Sequence, residues 1–248
     1  MSNKIAWILV LVGMPAVCDT PAVYAEPTGS KHETTAWKVE PSFKYDALCM
    51  LNVLTGDPFY LQYYRSEYDR LSPRLSESAR TALSNLKLRI KNEAGRIISA
   101  WLCLQFSAVA DETLDEMLKT LADPSFMKKN LVSTNWFDED GWQLFERIRG
   151  DLAVVLQWMM EADIEREWKE KALPRAQRRI DEIRSQVDRY NVIPLVEEFL
   201  GTPLPTNEIV VNILVFSQPH GIRVSGSRFL ADASWPFKIT ARTAAHEL

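Results

Sequence analysis

The period of the apolar residues changes once, at Asn207, and that change limits the fold more than any other feature of the chain. From residue 42 to about residue 200, apolar side chains recur at three- and four-residue spacing, the pattern of helices with one face inward. Residues 209–216, Ile-Val-Val-Asn-Ile-Leu-Val-Phe, are rich in β-branched types and contain no breaker, which predicts a mostly buried strand. Residues 217–221 supply a turn, residues 222–225 alternate as a returning strand, and residues 229–233 read as a third short one. Trp235-Pro236 marks a corner, and Thr240 caps a helix running from Ala241 into the chain end. The expected class is α+β, predominantly α-helical: a helical region, then a small antiparallel β-hairpin or sheet, then the start of one more helix.

Local signals divide the helical region. Tyr45, Leu48, Cys49 and Leu51 share one helix face, which Thr55-Gly56-Asp57-Pro58 ends. The aromatic cluster around Tyr60, Tyr63 and Tyr64 reads as core. Ser72-Pro73 starts the next element, and Leu83, Leu86, Ile90, Ala94, Ile97, Trp101 and Leu104 predict one helix to about Val109. Asp111 and Glu112 beside Thr113 put negative charge at a helix start, where the macrodipole favours it, and Asp123-Pro124 stops that helix. Asp138 opens another, whose stripe of Trp142, Phe145, Ile148, Leu152, Val155, Trp158 and Met159 builds core rather than a ligand groove. Residues 161–190 balance eight acidic against eight basic side chains, so they read as a solvated, salt-bridged helix kinked at Pro174. Asp163 and Glu167 belong to that solvated face rather than to a catalytic pair. Gly201 stops a last short helix.

The first residues set the compartment. Lys4 precedes the apolar run of residues 5–12, Gly13 and Pro15 break it, and Val23-Tyr24-Ala25 fits a cleavage site before Glu26. This is the pattern of a secretory signal peptide; the run is too short for a membrane span, which needs about 20 residues. Lipidation at Cys18 is disfavoured by Val17 beside it, where a small residue is expected. The expected organisation is therefore a signal peptide at 1–25, a loose leader at 26–41, a helical domain at 42–203, and a β-hairpin at 204–248 that opens a further domain. Secretion or a periplasmic location follows, with no stable membrane span once the signal is removed. Cleavage also removes Cys18. Cys49 and Cys103 remain and either form one disulfide, as an oxidising compartment allows, or stay buried as free thiols. The net charge of −4 gives no electrostatic footing for nucleic acid.

Catalytic chemistry, if encoded, lies in Ala244-Ala245-His246-Glu247-Leu248. In H-E-x-x-H on a helix, two His at i and i+4 share one face and bind zinc, and the Glu acts as general base. The first two letters are present here, after an apolar strand, a Pro-His-Gly turn and a second strand. In this setting residues 207–248 resemble the zincin metallopeptidases of the gluzincin type, in which a sheet leads into the motif helix. The resemblance implies His246 as first zinc ligand, Glu247 as general base, a peptide or protein as substrate, and zinc as cofactor of the complete parent. It also implies that the strand at residues 209–216 pairs with an extended substrate. The second His would fall beyond Leu248, as would the downstream Glu that gluzincins use as third ligand. The chain is thus expected to be the N-terminal part of a peptidase cut inside its motif, inactive alone and without tightly bound zinc. His220 reads as a turn residue near the rim of the site, and His32 as part of the leader. The competing reading is a non-catalytic exported helical binding or scaffold protein. A retrieval signal of the K-D-E-L kind fits poorly, because His246 stands where Asp is required. No G-x-S-x-G, Cys-x-x-Cys or phosphate-binding glycine loop supports another enzyme class.

Overall fold

The computed structural model describes residues 35–187 and 193–247, with side chains as far as Thr243. The signal peptide expected at 1–25 and His32 lie outside the described residues. Strand β1 (Ala36–Pro41) leads into helices α1 (Phe43–Leu54), α2 (Pro58–Leu71), α3 (Glu77–Leu86), α4 (Ile98–Phe106), α5 (Leu114–Ala122) and α6 (Ser125–Val132). There follow α7 (Glu139–Glu161), α8 (Ile164–Glu167), α9 (Leu173–Val187) and α10 (Ile193–Leu200). Strands β2 (Glu208–Leu214), β3 (Ile222–Arg223) and β4 (Arg228–Asp232) and helix α11 (Phe237–Glu247) complete the order. The class is α+β and predominantly α-helical, as the apolar spacing requires.

Capping chemistry fixes several boundaries where the sequence places them. Thr113 and Glu116 form a reciprocal capping box at the start of α5, and the Asp138 side chain accepts from the Gly141 N–H at the start of α7. Gly201 ends α10 with φ of +66°, a conformation that costs glycine little. Other boundaries differ. The helix expected from Leu83 to about Val109 is interrupted: Gly95 has φ of +65°, and α4 starts only at Ile98. The charged helix of residues 161–190 breaks at Asp163, which has φ of +57°, rather than at Pro174. A π-turn over Trp168–Ala172 stands directly before α9, and its wider winding accommodates the proline's missing N–H and bulky ring.

The sheet differs more. Its order is β1-β2-β4-β3, with β2 parallel to both β1 and β4, and β3 antiparallel to β4. Residues 36–41, expected as loose leader, are therefore a strand, in register Trp37↔Ile209 and Val39↔Val211. The hairpin expected between residues 209–216 and 222–225 does not form, because β4 lies between its two arms. Past Leu214 the backbone N–H groups of Val215 and Phe216 are taken by the Asp46 carboxylate of α1, so a returning strand has no donors to meet there. The antiparallel pair is instead β3 with β4. A central strand flanked on both edges and buried along its length accounts for the near-continuous apolar run of β2.

The described residues from 35 onward belong to one compact unit, whose main hydrophobic core takes in side chains from the helices and from β1, β2, β3 and β4, with a smaller cluster of Ile193, Leu204 and Ile209. Helix α1 is buried on every side, including Lys44, Asp46 and Asn52. Trp142, Phe145, Ile148, Leu152, Val155, Trp158 and Met159 of α7 are all buried in that core, against α3 and α5. Helix α9 packs on β1 and β2, and α11 on β4. Among the described residues no helix is long and apolar enough to cross a membrane.

Candidate functional site

Helix α11 starts three residues before the expected cap. The Pro236 carbonyl accepts from the N–H groups of Ile239 and Thr240, so Thr240 lies inside the first turn and is buried there. The backbone stays helical through Glu247, which carries His246 and Glu247 near the far end of a helix seated on β4. The side chains of residues 244–248 lie outside the described part. His246 is the one histidine of this helix, and a catalytic zinc takes about three protein ligands, so this helix by itself does not make up a zinc donor set. Among the described residues no group of three or more His, Cys, Asp or Glu is placed to hold a metal ion.

The sheet edge is not where the sequence puts it. Residues 209–216 cannot pair with an added strand along β2, since β1 and β4 occupy both edges. The strand at the margin of the sheet on the β4 side is β3, and it runs antiparallel to the other three.

His220 is held by the aromatic start of α2. Its Nε2 lies 3.3 Å from the Tyr60 hydroxyl, and its ring stacks on Phe59 with centroids 6.0 Å apart. Burial lowers its pKa below the ordinary 6.5, so the imidazole is mainly neutral at pH 7. Of the aromatic cluster assigned to the core, Tyr60 and Tyr64 are buried, whereas Phe59 and Tyr63 are exposed, and Phe59 and Tyr60 anchor the turn after β2.

Two buried carboxylates organise the carboxyl ends of β2 and β4, the end of a parallel sheet where ligand sites commonly form. Asp46 accepts from Val215 N at 2.8 Å, Phe216 N at 3.0 Å and Trp168 Nε1 at 2.8 Å. Asp232 accepts from Ser217 Oγ at 3.1 Å and from Ser234 N at 2.8 Å and Oγ at 2.6 Å. Tyr64 Oη donates to Asp232 at 3.4 Å and accepts from Gln218 N at 2.8 Å. These contacts tie the segments after β2 and β4, and Trp168, to the core. The arrangement is a brace, and its acceptors are all engaged within the protein. Sequence reasoning missed it, although one signal was present: Asp46 interrupts the apolar face of Tyr45, Leu48 and Cys49.

Asp46 makes stability depend on pH. Burial pushes its carboxyl up to about 7, against the opposing pull of its three hydrogen-bond donors, and the nearby Asp232 charge adds to the rise. Between its unfolded value of about 4 and about 7, the folded chain keeps a proton that the unfolded chain has released. The contribution is fully present below about pH 4 and is lost as pH rises through 7. The urea stability of the native chain minus that of Asp46→Asn should therefore fall between about pH 4 and pH 7 and level off above that, because the amide does not titrate. A difference that stays flat over that range contradicts the assignment.

Cys49 on α1 and Cys103 on α4 are both fully buried free thiols, and they are hydrogen-bonded to each other. That bond first, and burial second, hold the Cys49 thiol well above its ordinary pKa. Native protein is expected to resist alkylation at mildly alkaline pH, and unfolded, unreduced protein to titrate two thiols. A titre of zero means that the pair is oxidised.

On the charged stretch, Asp163 is exposed and pairs with Arg166 at 2.5 Å. Glu167 is not solvated: it accepts from Arg70, from Arg74 at 2.7 Å and from Lys171 at 2.8 Å, and joins α8 to α2. No family model, no curated protein and no solved structure matches this chain.

Proposed function

We propose that the C-terminal part of this chain is the front of a zincin-type catalytic module, and that the chain belongs to an exported zinc-dependent peptidase. One observation carries the reading: parallel strands, then a marginal antiparallel strand, then β4 lead directly into a helix that bears His246-Glu247 near its end. In the parent, His246 would contribute one metal ligand and Glu247 would take the proton of the attacking water. Zinc, when bound, supplies the Lewis acidity that polarises a peptide carbonyl. The marginal strand β3, rather than β2, is the one suited to aligning an extended peptide by backbone hydrogen bonds.

The reading requires a histidine four residues after His246 and a third ligand further on. Determining the coding sequence after the Leu248 codon tests it first. One further residue and then His supports the peptidase. Any other continuation, or a stop, leaves a non-catalytic exported binding or scaffold protein as the better description. Purified residues 26–248 are expected to hold no stoichiometric zinc, and one tight zinc per chain by elemental analysis would place the metal at other residues.

A further inference from the structure

A groove of about 310 Å³ opens between α2 and the α8–α9 segment. Its floor is apolar, with Trp168, Phe216 and Leu71 among the lining side chains. Its rim is cationic, carrying Arg70, Lys171 and Arg175. With Arg74 beside it, four cations surround two carboxylates, Glu67 and Glu167. Glu167 alone is shared by three of them, and Arg175 stands 3.7 Å from Glu67, a loose pair. Cations thus outnumber carboxylates around the groove. Burial first, and then the like charge of Arg74, lower the pKa of Arg70 against the opposing pull of Glu67.

The floor is held in place from behind. Asp46 binds Trp168 through the indole N–H and Phe216 through its backbone N–H, so one buried carboxylate fixes both aromatic residues. Trp168 also packs on Phe43, and Phe216 on Tyr64. A surface fixed before a ligand arrives loses little entropy on binding.

We propose that this groove binds a small amphipathic carboxylate, its apolar body on Trp168 and Phe216 and its charged head between Arg175 and Lys171. Charge complementarity selects the head. Arg175 and Lys171 are the more exposed cations of the rim, with side chains 50% and 58% accessible, and Arg175, held only loosely by Glu67 at 3.7 Å, is the freer of the two to turn to an incoming anion. A guanidinium meets a carboxylate with two parallel hydrogen bonds. The volume sits near the lower end of small-molecule sites, about 300–1,000 Å³, which suits one short body and not a protein domain. The site is independent of His246 and Glu247.

Calorimetric titration of residues 26–248 with decanoate, below its micellar concentration, tests the proposal. Saturable binding of one decanoate per chain is expected, with decanol, acetate and decyltrimethylammonium each much weaker. Arg175→Gln should weaken decanoate by about ten-fold, the loss of one charge-assisted contact, with the urea midpoint unchanged. Ser66→Trp, which fills the mouth from an exposed position, should block binding while leaving the fold intact. Equal binding of decanol, equal binding of the cationic surfactant, or no response to decanoate at millimolar concentration overturns the proposal. So does decanoate binding that survives both substitutions.

Discussion

Glu247→Gln, in a chain that continues through the completed motif and the downstream third ligand, is expected to lower kcat for peptide hydrolysis by about 10²–10⁴-fold while zinc content stays unchanged. The amide keeps the size and hydrogen-bonding reach of the carboxylate but cannot take a proton from the attacking water. The loss should therefore fall on kcat rather than on KM, because ground-state contacts with the peptide are untouched. His246→Ala should differ in kind, losing metal and activity together, since one of about three protein ligands is gone. A Glu247→Gln enzyme with native kcat removes Glu247 from the chemistry, whatever the metal does.

The largest expected effect on folding is at Asp46. Asp46→Ala leaves the N–H groups of Val215 and Phe216 and the indole N–H of Trp168 buried without an acceptor. Each unpaired donor costs about 1–3 kcal/mol, so a total loss of about 3–6 kcal/mol is expected even with partial relaxation. Against a typical domain stability of about 5–15 kcal/mol, that loss brings the chain close to unfolding at room temperature. Asp46→Asn should cost less, because its carbonyl oxygen can still serve the two backbone donors while only the indole loses its acceptor. Urea denaturation of the three proteins at pH 7 gives the order native, Asn, Ala. An Ala variant as stable as the native chain contradicts the account of Asp46 as the brace between α1, the end of β2 and Trp168.

Features set by neighbouring residues were legible in the sequence, and features set across the chain were not. Thr113 with Glu116, Asp138 and Gly201 act within a few residues of themselves, and each boundary lies where its chemistry puts it. The apolar faces of α1 and α7 were equally legible, because a helical period exposes its core face within two turns. Strand β1 was not. Lys38 and Glu40 make residues 36–41 read as polar leader, and the strand exists only because its backbone pairs with Glu208–Leu214 far along the chain. The same non-local pairing replaced the expected hairpin: adjacent strands in sequence suggest a two-arm turn, whereas the donors after Leu214 are already committed to Asp46. Gly95 lies within a run whose apolar spacing continues on both sides of it, so periodicity alone carried the helix through a break.

The candidate site divides in the same way. The helical setting of His246 and Glu247 follows from local pattern, and α11 provides it. The brace of Asp46, Asp232 and Tyr64 joins residues more than a hundred positions apart, and only the buried acid in an apolar helix hinted at it. The cation-rimmed groove was concealed for a related reason. Glu167 reads as one of many charges on a solvated helix, but its partners Arg70 and Arg74 come from the region of α2.

The most direct test of the central claim is zinc content, measured by elemental analysis on the chain carried through the completed motif and the downstream third ligand, and on its His246→Ala variant. One zinc per chain in the first and none in the second is the expected result. Stoichiometric zinc that persists without His246, or its absence from the chain with the motif complete, contradicts the assignment of this helix as the metal-binding element.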